Sequence, residues 1–385
     1  MSLVPSVDLS DFISGDNSRK VKFIQEIGKA FEEIGFVALG GHFLSEELVA
    51  NLYAEIKKFF DLPQEIKDSY EIPGIGGQRG YTSFGKEHAK GRKEGDLKEF
   101  WHFGQYVSGN PKLEAEYPDN VVVKELPNFN KVGEETYKML EKTARYVLRA
   151  LALHLDLEET YFDEFITNGN SILRPIHYPP ITSEPKNAVR AAAHGDINLI
   201  TLLMGAHGKG LQVKNHKGEW IDAIARPDQL MINVGDMLSR LSNNKLKSTI
   251  HQVVNPPKEL WGTSRYSIPF FMHPISEMPL NCLDNCVDDK NPKGFAKNTI
   301  AEDNTIAIRI VQNDFCRKLI KRFGKPIVST SANVSGEKTP TSFSEIRKSI
   351  LNGVAYVVNL QQEEKCEKSS IILKIEGNEI LVLRE

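Results

Sequence analysis

The segment AAAHGDINLI, residues 191–200, sets a histidine and an aspartate two positions apart, behind three alanines and ahead of an apolar run. On an extended strand successive side chains alternate faces, so His194 and Asp196 would project to the same side, with Gly195 adding no bulk between them. One imidazole and one carboxylate so placed can reach a single metal ion. A third ligand has to come from another strand, and His251 in STIHQVV, flanked by residues that would otherwise simply pack, is the candidate. The chain holds ten histidines, and the same three residues could also be satisfied core polar groups, so this pattern alone leaves both readings standing.

Two imidazoles and one carboxylate on one side of an ion leave several coordination positions open, the facial arrangement of non-haem Fe(II) oxygenases. A second group of residues bears on the choice. In RYSIPFF, Arg265 and Ser267 share one face of a predicted strand, where a guanidinium fork and a hydroxyl could bind a carboxylate. A buried arginine without an acidic partner is costly, so an external anion is a reasonable occupant, and an internal salt bridge is the alternative.

These residues need a scaffold, and the hydrophobic pattern predicts one. In SRKVKFIQEIGKAFEEIGF (18–36) apolar residues recur at three- and four-residue steps, giving a helix with one apolar stripe. SEELVANLYAEIKKFFDLP reads as a second helix with Ser45 as N-cap, and a third, longer one runs to about Leu155. From about residue 170 the period changes to short β-branched and aromatic runs separated by turn chemistry such as NHKGEW and SNNK, which predicts a sandwich or small barrel of jelly-roll type. Between helices two and three, residues 74–104 are rich in glycine and charge and carry Tyr81, Phe84, Phe100, Trp101 and Phe103. They read either as a binding loop or lid over a substrate, or as a solvated connector.

At 385 residues the chain is long enough for about two domains. With 26% charged residues and a net charge of −3 it has no field that would recruit DNA or an anionic membrane. No stretch approaches the roughly 18 continuous apolar residues of a membrane span, and MSLVPSVDLSDF lacks a secretory pattern, so a cytoplasmic location is expected. Cys282 and Cys286 could be half of a metal site, but reduced structural thiols are the preferred reading.

HGD at 194–196, His251 beyond the stretch 197–250 and Arg-x-Ser at 265–267 together resemble the isopenicillin N synthase-like branch of the Fe(II)/2-oxoglutarate-dependent oxygenases. The resemblance extends through VPSVDLSDF, IGFVALGGHFLSEELVANLYAEIKKFFDLP, LRPIHYPP, LQVKNHKGEWIDAI and MINVGDMLSRLSNNKLKSTIHQVVNP, and so covers residues 1 to about 293. It implies a mainly β fold with helices: a distorted jelly roll, or double-stranded β-helix, with an N-terminal helical region (1–165) and a metal-binding core (170–280). It also implies Fe(II) held by His194, Asp196 and His251, with the distal carboxylate of 2-oxoglutarate on Arg265 and Ser267 and Tyr178 bonding nearby. O2 and 2-oxoglutarate would be consumed to give succinate and CO2, and a small-molecule substrate would be hydroxylated, desaturated or ring-closed. Plant members carry an asparagine where this chain has Ile176, which removes one polar contact to the co-substrate. In isopenicillin N synthase the matching arginine, serine and tyrosine receive a substrate carboxylate instead, so an iron oxidase that uses O2 without 2-oxoglutarate is the alternative.

Beyond NPKGFAKNTI the chain reads as strand, helix, strand, helix, an alternation foreign to a jelly roll, and a boundary is expected near 294–300. Residues 297–385 resemble the later half of the threonylcarbamoyl-AMP synthase family, a partial α/β segment. That resemblance assigns Ser329, Ser331 and Asn333 of STSAN, and Arg309, to a nucleotide-binding remnant. Val311 stands where a proline is usual. The family's first half is missing, so the segment should have no synthase activity, and its half sheet should be covered by the oxygenase, by a second copy or by a partner. A nucleotide- or RNA-related binding module is the third reading, and a junction created by gene rearrangement is a further explanation of the fusion.

Overall fold

A computed structural model of the chain describes residues 4–87, 95–107, 109–185, 188–205, 210–215, 217–287, 308–309, 311–323, 327–334, 337–365, 372–376 and 379–384. The chain divides into two compact units, Met1–Lys293 and Gly294–Glu385.

The first unit opens with β1 (Ser6–Asp8), α1 (Leu9–Ile13), α2 (Asn17–Glu33), β2 (Phe36–Gly40), α3 (Glu46–Phe60) and α4 (Gln64–Asp68). Helix α2 ends before residue 36 because Gly35 takes a φ of +77° and turns the chain into β2. A Cβ there would stand 2.1 Å from the Lys247 carbonyl oxygen, so only glycine fits. Ser45 caps α3 as expected, accepting from the Leu48 amide at 3.1 Å.

Strands β3 (Gly80–Thr82) and β4 (Glu99–Gly104), helices α5 (Pro111–Glu116), α6 (Phe129–His154) and α7 (Asp163–Ile166), and strands β5 (Ile172–Leu173), β6 (Ile176–Tyr178) and β7 (Ala191–His194) come next. The unit continues with β8 (Ile200–Met204), β9 (Leu211–Lys214), β10 (Trp220–Asp222), β11 (Leu230–Val234), α8 (Asp236–Leu241), β12 (His251–Val253) and β13 (Arg265–Met272). They form a large sheet in the order β1-β2-β11-β8-β13-β5-β4-β3, with β6 bridging β13 and β4, and a second sheet in the order β10-β9-β12-β7. One apolar cluster, including Phe36, Phe100, Ile176, Tyr178, Val213, Met231 and Val253, draws on both sheets and is the interior of the jelly roll. A larger cluster packs α2, α3 and α6 against the other face of the large sheet, through Phe31, Phe59, Leu148, Leu202 and Phe270 among others.

The aromatic residues of 74–104 correct the sequence reading. Tyr81, Trp101 and Phe103 are fully buried, and Phe59 stacks with Phe129 and meets Trp101 edge-on. This segment supplies β3 and β4 to the large sheet, so the rings of Tyr81, Trp101 and Phe103 are core, and only Phe84 of the five is exposed; residues 88–94 of the segment lie outside the described residues. Cys286 is likewise buried in the large cluster, and burial pushes its thiol up to about 11.

In the second unit, DFCRKLIKRF forms α9 (Asp314–Phe323) and KSILNG forms α10 (Lys348–Gly353), followed by an antiparallel pair, β14 (Ile372–Glu376) and β15 (Glu379–Arg384). Of KPIVSTSAN and VAYVVNL, strand-like segments of the strand-helix alternation, the described residues 327–333 and 354–360 are irregular. The expected boundary at 294–300 lies outside the described residues. No helix among the described residues is long and apolar enough to cross a membrane.

Candidate metal centre

Strand β7 ends at His194 and β12 begins at His251, and the two are direct partners across the antiparallel pair. Their rings stand 4.4 Å apart. Asp196 is not on the strand: the chain leaves β7 at His194, and the carboxylate returns to the histidines from the connection to β8. Its Oδ1 lies 4.0 Å from Nε2 of His194 and 3.8 Å from Nε2 of His251. Ligand atoms of all three residues fall within 4.8 Å of one another, and no other such group of three occurs among the described residues.

The remaining polar atoms of the triad are committed elsewhere. His194 Nδ1 faces the Ala192 carbonyl at 2.6 Å and His251 Nδ1 faces that of Thr249 at 3.2 Å. A ring nitrogen against a carbonyl oxygen carries the proton, which leaves the Nε2 lone pair for a metal. Asp196 Oδ2 accepts from Thr201 Oγ1 at 2.6 Å and from Asn233 Nδ2 at 2.8 Å, so Oδ1 is left to coordinate. Burial opposes ionisation of Asp196, but His251, the bonds from Asn233 and Thr201, and His194 together hold its pKa below the ordinary value. Burial and the neighbouring His251 lower that of His194, favouring the neutral, coordinating form. This donor set suits Fe(II) with sites left open for other ligands.

On the inner face of the large sheet, Arg265 is the register partner of Tyr178, and Ser267 that of Ile176. The Arg265 guanidinium carbon lies 5.2 Å from the Tyr178 ring centroid. Both Nη atoms of Arg265 are buried without a hydrogen-bond partner, so the internal salt bridge weighed from sequence does not form among the described residues. Orphaned guanidinium nitrogens beside a buried serine fit an external carboxylate.

A charged wall near the metal site was not read from sequence. Arg174 lies with its guanidinium carbon 4.5 Å from the Phe100 ring centroid and 5.2 Å from that of Phe271. It donates from Nε to His102 Nε2 at 2.5 Å and from Nη1 to Glu87 at 3.3 Å. Lys98 pairs with Asp96 at 3.0 Å, and Asp96 accepts from the backbone amide of Ala192 at 3.3 Å, which ties this wall to the strand bearing His194. The sequence signal for it is the charge of 74–104.

In the second unit Ser329, Ser331 and Arg309 are exposed, and the Asn333 amide donates to the carbonyls of Val334 and Glu337 at 3.0 and 2.9 Å. The Asn333 amide is therefore committed to backbone that follows STSAN.

A jelly roll carrying two histidines and a carboxylate on one side of an open position, with an orphaned arginine on the same inner surface, defines a non-haem iron oxygenase of the double-stranded β-helix class. Residues 4–125 match the family described as non-haem dioxygenase in morphine synthesis N-terminal, and residues 169–274 match the 2OG-Fe(II) oxygenase superfamily. The 2-oxoglutarate-Fe(II) type oxidoreductase hxnY of Emericella nidulans is 31% identical over 73% of this chain and 82% of its own length. A Caulobacter crescentus protein of the 2OG-Fe(II) oxygenase family has a solved structure 39% identical, with a TM-score of 0.69, covering 84% of this chain and all of its own. A full-length Neurospora crassa protein solved in complex with alpha-KG is 30% identical, with a TM-score of 0.66, over 76% of this chain and 91% of its own. The chain belongs to the 2OG-Fe(II) oxygenase superfamily. Residues 277–385 match a further family, described as Telomere recombination and including Sua5, YciO and YrdC.

Proposed function

We propose that this Fe(II)- and 2-oxoglutarate-dependent dioxygenase holds its metal through Nε2 of His194, Oδ1 of Asp196 and Nε2 of His251, and anchors the distal carboxylate of 2-oxoglutarate on Arg265, Ser267 and Tyr178. The observation that carries this reading is the pairing of a convergent triad with the two orphaned Nη atoms of Arg265. Bound iron supplies O2 activation coupled to decarboxylation of 2-oxoglutarate to succinate and CO2. The chain's own part is to keep Nε2 of each histidine deprotonated through the Ala192 and Thr249 carbonyls, to orient Oδ1 of Asp196 through Thr201 and Asn233, and to fix the co-substrate by its far end. A small molecule oxidised beside the Arg174, Glu87 and Lys98 wall is the substrate in this reading.

The test is the visible charge-transfer band of the anaerobic Fe(II) protein on adding 2-oxoglutarate. Appearance of the band, and its loss in Arg265→Ala, is the expected result. Iron bound without a band would favour the oxidase that takes a substrate carboxylate at Arg265. His194→Ala or Asp196→Ala is expected to abolish Fe(II)-dependent succinate formation.

We further propose a division into an oxygenase domain, 1–293, and a partial synthase-like segment, 297–385. The two compact units support it, although the second family match begins earlier, at 277. The Asn333 amide is bonded to the backbone of Val334 and Glu337, which speaks against the nucleotide-remnant reading of Ser329, Ser331, Asn333 and Arg309; with the family's first half missing, no threonylcarbamoyl-AMP is expected from ATP, threonine and bicarbonate. A cytoplasmic site of action accords with the reducing conditions that Fe(II) chemistry needs.

A further inference from the structure

Four buried side-chain atoms close to Arg265 lack a hydrogen-bond partner: its own Nη1 and Nη2, Nε of Arg190 and the hydroxyl of Tyr53. Arg190 precedes β7, and its guanidinium carbon lies 5.6 Å from the centroid of the same Tyr178 ring that Arg265 overlies at 5.2 Å. Its Nη2 donates to the Thr263 carbonyl at 3.2 Å, which fastens it two residues ahead of Arg265. Burial and the neighbouring Arg265 charge both lower the pKa of Arg190. Two guanidinium groups that share one tyrosine ring, with no carboxylate bonded to either among the described residues, call for an anion.

Tyr53 arrives from α3, outside the two sheets. A Cβ on Gly205, whose φ is +86°, would stand 2.7 Å from the Tyr53 hydroxyl, 3.2 Å from the Tyr266 carbonyl oxygen and 3.8 Å from Cα of Ser267. The missing side chain at the end of β8 is thus the space through which the hydroxyl reaches β13 beside Ser267. Burial pushes the hydroxyl up to about 12 despite the Arg265 charge, so it remains a protonated donor.

We propose that Tyr53 and Arg190 are co-substrate-binding residues, which with Arg265 and Ser267 close a cage around the distal carboxylate of 2-oxoglutarate. This rests on the reading of the site given above and adds to it a donor from the N-terminal helices and a second cation. A carboxylate has about four lone-pair sites, and a cage drawn from three separate segments satisfies them while excluding water.

Anaerobic titration of 2-oxoglutarate into the Fe(II)-loaded full-length protein, followed by the charge-transfer band, tests the cage. Tyr53→Phe and Arg190→Gln are each expected to raise Kd about tenfold or more with Fe(II) affinity unchanged, and Arg190→Lys to recover part of the loss. Wild-type Kd in both Tyr53→Phe and Arg190→Gln, with the band still lost in Arg265→Ala, would overturn the cage and leave the underlying reading intact. A parallel fall in Fe(II) affinity would also overturn it, because the loss would then reflect damage to the whole site. Absence of any band in the wild type with iron bound would instead refute the 2-oxoglutarate reading itself.

Discussion

Asp196 shows how two oxygens of one carboxylate take different tasks. Thr201 and Asn233 hold Oδ2, and Asn198 in turn donates to Thr201 Oγ1 at 3.0 Å, so the ligand oxygen is aimed by a chain of three polar residues inside an apolar strand layer. Partners that orient a ligand in this way typically contribute roughly 10- to 100-fold to metal affinity. Asn233→Ala and Thr201→Val should therefore each weaken Fe(II) or Co(II) binding by that factor, measured by direct titration, with the fold retained. Unchanged metal affinity in both would show that Asp196 is oriented by its backbone alone. Asn233 was in principle legible as a lone amide in the apolar run LMINV, but nothing local says which carboxylate it serves.

Strand β4 carries a buried polar network. Glu99, nearly fully buried, accepts from Lys67 at 2.8 Å and from Tyr81, and its Oε1 meets His177 Nδ1 at 2.7 Å. His177 in turn lies flat on Tyr266, with ring centroids 4.8 Å apart. Burial opposes ionisation of Glu99, but His177, Lys67 and Tyr81 outweigh it and hold the carboxyl below its ordinary pKa. A depressed folded-state value means that this group's stabilisation is present above the ordinary carboxylate range and is lost as pH falls through the depressed value. Glu99→Gln should cost about 3–5 kcal/mol in denaturant unfolding at neutral pH, because Lys67 would be left buried without its counter-charge. It should also flatten the acid limb of the stability profile. This network joins α4, β3, β4 and β6, so its loss is expected to loosen the seat of the N-terminal helices on the large sheet.

At the scale of the whole chain, two units with different chemistry share one polypeptide. The second exposes Ile308, Val328 and Tyr356 at 77%, 74% and 78%, all in irregular stretches. Removing it by ending the chain at Lys293 is expected to leave the Fe(II) and 2-oxoglutarate band intact, since every residue assigned to that site lies in the first unit. A truncated chain that binds iron but gives no band would show that the second unit supports the co-substrate site.

Residue types and spacing singled out His194, Asp196, His251, Arg265 and Ser267 as candidates, because a metal needs particular donors and a carboxylate needs a guanidinium, whatever the fold; Tyr178 was reached only through the family resemblance. The helix with Ser45 as its cap and the short strands of 170–280 were legible too, since caps, turns and hydrophobic periods act over a few residues. What only the tertiary structure decided is how distant segments meet. Asp196 reaches the histidines from a connection rather than by alternation along a strand. Of the aromatic residues of 74–104, Tyr81, Phe100, Trp101 and Phe103 are buried because β4 pairs with β3, β5 and β6, whereas Phe84 is exposed. Tyr53 and Arg190 approach Arg265 from outside its strand, and no local pattern encodes that meeting, because burial against a partner far away along the chain leaves no periodic trace near either residue.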